Sequence, residues 1–366
     1  QTGENTIALV GMNNSLAGSS DFVLAAHLLA TNSMEGNQRI PMTYASEWIG
    51  GATYEATVPA QTNQTLVRYN VELELTTGET LILPHEGERR PFESYFVYDN
   101  DIPTQLPIMW LFSNQITHLT QKAQAFSAVV VKPLGSDPVQ VFDGASVISS
   151  RTGQKVKFLK GEEYRQDRTL NLSLESPPEG TTAGAQSPHV EHISYQLFHD
   201  FGVLTPRCDW YRVIENGMHY QRIATEQPNE QFLEINGRNS DGNLYKIAYN
   251  EPNGYSKKNN LDEGDEDFVE LFQHVNMYNT TTLSKDLRSY LAIDEVMGYE
   301  VAMFLLSHWD GIKNNIFLYH SPDDPYRWEI IPWDVDKTFG YTDSDPMYWE
   351  MPIDFYLTGE APGSPE

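Results

Sequence analysis

Between His308 and Gly340 the chain reads HWDGIKNNIFLYHSPDDPYRWEIIPWDVDKTFG, with oxygen-bearing side chains spaced so that they can meet. Asp310 and Asn315 lie on a short loop ahead of IFLYH. The turn SPDDP separates that run from YRWEII, and Pro332-Trp333-Asp334-Val335-Asp336 follows. β-Branched and aromatic runs on either side of a Pro/Asp turn predict a β-hairpin, and a hairpin returns the chain to where it began. Its open end brings Asn315 close to Asp334 and Asp336, with Asp310 on the incoming loop. Carboxylates and an amide oxygen meeting there are hard donors suited to Mg²⁺ or Mn²⁺, which retain waters and bridge to phosphate. Each residue also has a plainer use, since Asp after a helix is a common turn residue and Asp-x-Asp after a strand caps the next element. Their convergence favours the chemical reading.

Several elements must form for those groups to meet. Leu287 to about His308 is apolar enough for one long helix that delivers Asp310. A second, amphipathic helix starts near His189, with Val190, Ile193, Leu197, Phe198 and Phe201 on one face and Gly202 as its stop. SAVVVKP (Ser127 to Pro133), KVKFLK (Lys155 to Lys160), RTLNLSL (Arg168 to Leu174) and NLYKIAY read as strands, and Asn216-Gly217 marks a hairpin turn. SPPEGTTAGAQSP reads as a loop. From Thr6 to about Tyr98 the pattern differs: short apolar runs, among them the alternating VRYNVELEL, recur between polar turns. This predicts a small β-sandwich of immunoglobulin-like type, with Trp48, Tyr54 and Tyr69 as packing rings. DNDIPTQLP (Asp99 to Pro107) reads as a linker, so the expected division is residues 1–100 and 101–366.

Composition narrows the partners. Acidic residues number 51 against 24 basic, for a formal charge of -27, which repels nucleic acid and anionic lipid. An anionic ligand would need a local cation or a bridging metal. Hydrophobic residues at 40% and aromatics at 12% rule out global disorder. The single Cys208 excludes an internal disulfide and sits in no zinc-like spacing. The longest apolar run, Val301 to Leu306, falls far short of the ~18 residues of a membrane-spanning helix. The acidic run Leu261 to Phe268 lacks EF-hand ligand spacing and reads as a solvated loop. Acidity points to an extracellular or cell-surface setting, and the opening QTGENT reads as that of a mature or excised piece.

His308, Asp310 and Asn315 reproduce the H-x-D-x-x-x-x-N spacing of the protein-kinase catalytic loop, and Asp334 then stands where kinases carry a metal-binding Asp. D-F-G is absent, and no G-x-G-x-x-G precedes KVKF. PWDVDKTFG resembles more closely the CotH family, the spore-coat-protein-H kinases, whose atypical kinase-like fold lacks the glycine-rich loop. Val147 to Arg151, KVKF, TLNL, the helix to Gly202, IENGMHYQRIATEQPNEQFLE and GNLYK agree in order, over about Leu106 to Gly340.

That resemblance implies an α+β chain in which an immunoglobulin-like β-sandwich precedes an atypical protein-kinase-like domain. It implies ATP with Mg²⁺ or Mn²⁺, and transfer of the γ-phosphate to Ser/Thr hydroxyls of a protein substrate on a cell or spore surface. Asp310 would be the base that accepts the acceptor proton. Asn315 and Asp334 would hold the metal, with Asp336 as second or alternative carboxylate. Lys157, ranked just ahead of Lys155, would contact the α/β-phosphates. Glu191 would pair with that lysine, Glu226 would line the nucleotide cleft and Lys246 would reach a phosphate. The family continues into further helices where this chain has only the short segment 341–366, so a truncated or reduced C-lobe is expected. The alternative is a non-catalytic adhesin or structural surface protein that keeps the kinase-like domain as a scaffold.

Overall fold

A computed structural model describes residues 5–12, 23–32, 36–48, 51–85, 88, 90, 92–113, 124–149, 153–173, 188–215, 217–249, 251–276, 283–311, 314–324 and 327–340. The architecture is mixed α/β with strands predominating. The chain divides into two units, one of Gln1–Asn114, Phe126–Ala145 and Ile214–Asn216, the other of Gln115–Ala125, Ser146–Val213 and Gly217–Glu366. The expected loop over 176–187 and the segment after Gly340 lie outside the described residues.

In the first unit, β1 (Asn5–Met12), β4 (Thr43–Trp48) and β5 (Gly51–Val58) form an antiparallel sheet in the order β1-β5-β4. β2 (Val23–Asn32), β3 (Gly36–Pro41), β6 (Thr65–Leu75), β7 (Thr80–Leu83) and β8 (Glu93–Val97) form another, in which β7 and β8 pair with opposite ends of the long β6. The alternation in β6 sends Val71 and Leu73 into a cluster with Ala56 and Val58 of β5, so the two sheets share a core. β9 (Ile108–Ser113) and β10 (Gln124–Lys132) pair antiparallel, with Ile108, Trp110, Ala128 and Val130 in a second cluster.

The second unit carries the residues of interest. β11 (Gln140–Ser149) pairs through residues 146–149 with β12 (Gly153–Lys157), which pairs with β13 (Thr169–Ser173). α1 (Pro188–Asp200) precedes β14 (Cys208–Glu215) and β15 (Met218–Glu226), and β15 pairs with β13. After α2 (Glu230–Ile235) come β16 (Asn243–Ile247), β17 (Tyr255–Lys257), α3 (Glu266–Asn276), α4 (Leu283–Tyr290), α5 (Ile293–Leu306), β18 (Ile316–His320) and β19 (Trp328–Pro332). The last four strands make an antiparallel sheet, β17-β16-β18-β19. Side chains alternate across it. Leu244, Phe317, Tyr319 and Ile331 join Phe232 and Leu233 of α2 in one cluster. Tyr245 and Trp328 join Phe268 and Leu271 of α3 in another, while Ile316 joins the cluster of α1 and α5.

Three sequence expectations change here. The helix expected from Leu287 to His308 is broken into α4 and α5, because Leu291 bridges to Trp328 and the Ala292 N–H donates to the Trp328 carbonyl at 2.9 Å. On α1 the expected apolar face is rotated: Ile193 and Phe201 are exposed, while Ser194, Tyr195 and Phe198 are buried. The inward stripe is set by Tyr195 and Phe198 packing with Tyr299 and Met303 of α5, while Ser194 bonds Thr338 and Tyr195 Oη accepts from the Asp334 N–H. The acidic run after Leu261 is also less solvated than expected, since Asp265 accepts from Tyr255 and Asp267 accepts from Asn243 and Tyr245. Among the described residues no helix is long and apolar enough to cross a membrane.

Candidate active site

α5 ends with Ser307 in the left-handed region (φ 50°), where the His308 N–H bonds back to the Met303 carbonyl at 3.0 Å. A single turn, Trp309–Gly311, then buries Asp310. Its Oδ2 accepts from Asn315 Nδ2 at 2.9 Å and lies 3.4 Å from Lys337 Nζ. Its Oδ1 accepts from Asn314 Nδ2 at 3.1 Å. Because Asn315 spends its amide nitrogen on Asp310, its amide oxygen is left for a cation. His308 is fully buried, and burial pushes its imidazole down to about 4, so the neutral ring donates from Nδ1 to the Lys337 carbonyl at 3.1 Å. Gly311 is required beside it, since a Cβ there would lie 2.5 Å from the His308 ring.

The hairpin forms as its sequence predicts, from Ile316↔Pro332 to His320↔Trp328. Pro332 closes the ladder, having no N–H to donate. Beyond it the Trp333 N–H donates to the Asn315 carbonyl at 2.9 Å, which sets Asn315 beside the start of the Asp-Val-Asp loop. That loop is anchored to several elements. The Asp334 N–H donates to Tyr195 Oη at 3.1 Å, Thr338 Oγ1 bonds Ser194 Oγ at 2.9 Å, and the Phe339 N–H donates to the Leu306 carbonyl at 2.7 Å. Asn315, Asp334 and Phe339 join Ser307 in the left-handed region, with φ of 53–54° for the three. Such backbone costs on the order of 1 kcal/mol for a non-glycine residue and persists where surrounding bonds hold it.

Negative charge accumulates at this end of the sheet. Asp334 is reached by solvent yet surrounded by protein, and that crowding together with Asp310 raises its carboxyl above the ordinary range, against the pull of Lys246 and Lys337. Asp336 is raised by burial and by Asp334 and Glu191. Glu191, on the inner face of α1, is pushed up to about 8 by burial and by Asp334, although it hydrogen-bonds Thr225. Carboxyls that raise one another in this way lack sufficient positive charge, which is the condition a divalent cation relieves. Among the described residues no three carboxylate, imidazole or thiolate groups close into a full metal cage. Mg²⁺ does not need one, since it keeps several waters and takes one or two protein carboxylates. The donors Asn315, Asp334 and Asp336 fit that mode of binding.

The remaining expected residues divide. Lys246 sits on the same face of the sheet as Leu244, acts on Asp334 and lies 3.9 Å from Glu251. Register aligns Lys155 with Asn171 and Asn171 with Thr225, the residue that bonds Glu191; Lys155 Nζ donates to Gln227 Oε1 at 3.0 Å. Lys157 is exposed, opposite Thr169. Glu226 follows Thr225 and therefore faces away from that row. It is buried against Arg207, whose Nη2 lies 2.7 Å from Glu226 Oε1 and 2.9 Å from Asp167 Oδ1.

Lys337 and Tyr195 went unnoticed in the sequence. Lys337 lies directly after the Asp-x-Asp, so proximity to that motif was the available signal. Tyr195 reads there as an ordinary helix aromatic. A cavity of about 910 Å³ opens elsewhere, at the junction of α4 and α5, lined by Arg288, Tyr290, Asp294, Glu295 and Arg327 among others.

Residues 188–361 match the family described as CotH kinase protein. No curated protein matches the sequence. Among solved structures, a Helicobacter pylori proinflammatory kinase, CtkA, aligns at 12% identity with a TM-score of 0.26, over 53% of this chain and 57% of that one. A cycloalternan-forming enzyme from Listeria monocytogenes aligns at 6% identity with a TM-score of 0.21, over 47% of this chain and 16% of its own. An uncharacterized Listeria monocytogenes protein aligns at 7% identity with the same score and coverage. The chain thus spans well under two thirds of each of these proteins, and alignments at such scores establish no common function. The family match covers the helix bearing Glu191, the catalytic-loop spacing and the Asp-x-Asp together, and over residues 188–361 this chain carries a CotH kinase family domain.

Proposed function

We propose that the chain is a secreted or surface-attached atypical protein kinase that uses ATP with Mg²⁺ or Mn²⁺ to phosphorylate Ser/Thr hydroxyls of a protein partner. The observation that carries this reading is the Asp310 carboxylate, which is buried, held by two asparagine amides and a lysine, and set beside the open end of the β18–β19 hairpin. A buried carboxylate oriented in this way is equipped to take a proton from a hydroxyl. Asn315 and Asp334, with Asp336 as second carboxylate, would hold the cation, which supplies charge neutralisation for the phosphates. Lys246 and Lys155 would support the triphosphate, a role favoured for Lys246 by its action on Asp334 and for Lys155 by its row with Thr225 and Glu191.

The test is ligand-dependent thermal stability followed by mass analysis. ATP is expected to raise the melting temperature only when Mg²⁺ or Mn²⁺ is present, and incubation with both is expected to add phosphate to the chain. Equal shifts with and without chelator would count against the site. Binding without any transfer to the chain or to dephosphorylated casein would leave the scaffold reading in its place.

A further inference from the structure

The two oxygens of Asp310 are not equivalent. Oδ2 faces both Asn315 Nδ2 at 2.9 Å and Lys337 Nζ at 3.4 Å, whereas Oδ1 has Asn314 Nδ2 at 3.1 Å as its hydrogen-bond partner among the described residues. Asn314 is itself held, because its Oδ1 accepts from the Tyr249 N–H at 3.0 Å. With one close donor against the two that face Oδ2, Oδ1 keeps more of its lone-pair capacity for a further proton. Lys337 is fixed at several points: its ammonium lies 4.9 Å from the Trp309 ring centroid, its carbonyl accepts from His308, and the next residue, Thr338, is tied to Ser194.

Resting on the kinase reading, we propose that Lys337 is a positioning residue that holds Asp310 through Oδ2, so that Oδ1 takes the acceptor proton. In that step the acceptor oxygen forms a bond to the γ-phosphorus, the bond from that phosphorus to the leaving ADP oxygen breaks, and the acceptor proton passes to Asp310 Oδ1. Lys337 keeps its proton throughout. Lys337 also acts on Asp334, but its direct contact is with Asp310, so its main contribution is to the transfer step.

The experiment measures autophosphorylation rate against ATP concentration, with Mg²⁺-dependent ATP thermal shifts alongside, for the wild-type chain, Lys337→Met, Lys337→Arg and Asp334→Ala. Lys337→Met is expected to lower the maximal rate roughly tenfold or more while the half-saturating ATP concentration and the thermal shift stay within about twofold. Lys337→Arg is expected to recover part of the rate, because it restores the cation. Asp334→Ala is expected to lose the shift itself. Lys337→Met working at the wild-type rate, or losing ATP binding as Asp334→Ala does, would overturn the proposal while leaving the kinase reading intact. An Arg variant no better than Met, with both melting normally, would also overturn it. A wild-type chain that transfers nothing would bring down the kinase reading, and this proposal with it.

Discussion

Asp310 and Asp334 are the same functional group under different constraints. Asp310 is held by amide and ammonium donors, whereas Asp334 lies in a crowded cleft where Asp310 raises it and Lys246 and Lys337 lower it. Their substitutions should therefore separate. Asp310→Ala is expected to keep most metal-dependent ATP binding while reducing phosphate transfer by ~10²–10⁴-fold, the usual contribution of a positioned base. On the proposed function Asp334→Ala is expected to abolish the metal-dependent thermal shift, because the cation would lose a carboxylate. Titration of each variant with ATP and Mg²⁺, with mass analysis for transfer, checks both. Normal transfer by the two variants would remove the basis for the assignment.

Packing of α1 against α5 places Tyr195, Ser194 and Glu191 over the Asp-Val-Asp loop, and one glycine allows the two helices to approach. A Cβ at Gly298 would lie 2.3 Å from the Phe201 carbonyl oxygen, a backbone atom that cannot swing away. Gly298→Ala sets two effects against each other. Helix propensity favours Ala by about 1 kcal/mol, whereas forcing a methyl into a packed contact typically costs ~1–3 kcal/mol. The clash should win, since a contact that close demands movement of one whole helix. Chemical denaturation is expected to show a net loss of stability, together with weaker ATP binding as the loop loses its support. An unchanged or higher midpoint would mean that the helices are not so close.

Across the whole chain, acidity governs the pH response. Glu191 and Asp167 are each pushed up to about 8, both chiefly by burial, with Asp167 further raised by Glu226. A carboxyl raised on folding holds a proton that the unfolded chain has already released. Stability from these groups is therefore fully present below their unfolded values and falls as pH climbs towards about 8. His308 acts in the opposite sense: its folded value of about 4 lies below the ordinary imidazole value of 6.5, so its neutral state favours folding above that range and the contribution is lost on acidification. Between about pH 6.5 and 8 the buried acids act alone, and unfolding free energy should decrease with pH. Self-repulsion at a formal charge of -27 works in the same direction but is screened by salt, whereas buried carboxyls are screened far less. Urea denaturation at pH 6.5 and 8 in about 0.5 M salt should retain the slope, and Asp167→Asn should flatten it. A level or rising profile would contradict the buried acids.

The hairpin from Asn315 to Asp334 was legible in the sequence because its logic is local. Asn315 and Asp334 flank one hairpin, and pairing of IFLYH with WEIIP across a short turn brings them together whatever the rest of the chain does. The stop of α1 at Gly202 and the strands around KVKF and TLNL were equally local, set by a glycine at positive φ and by period-two alternation. What surrounds those residues was not legible, because it depends on long-range packing. Which face of α1 turns inward depends on Tyr195 and Phe198 packing against α5 and on Ser194 and Tyr195 bonding a loop about 140 positions away. The break between α4 and α5 required β19 to be in place beside Ala292. The burial of Glu226 with Arg207 depended on strand register, which a one-residue slip reverses. Charge strength follows the same division: carboxylates can be counted in a sequence, but crowding and mutual repulsion arise only when folding brings Glu191, Asp334 and Asp336 together in one cleft.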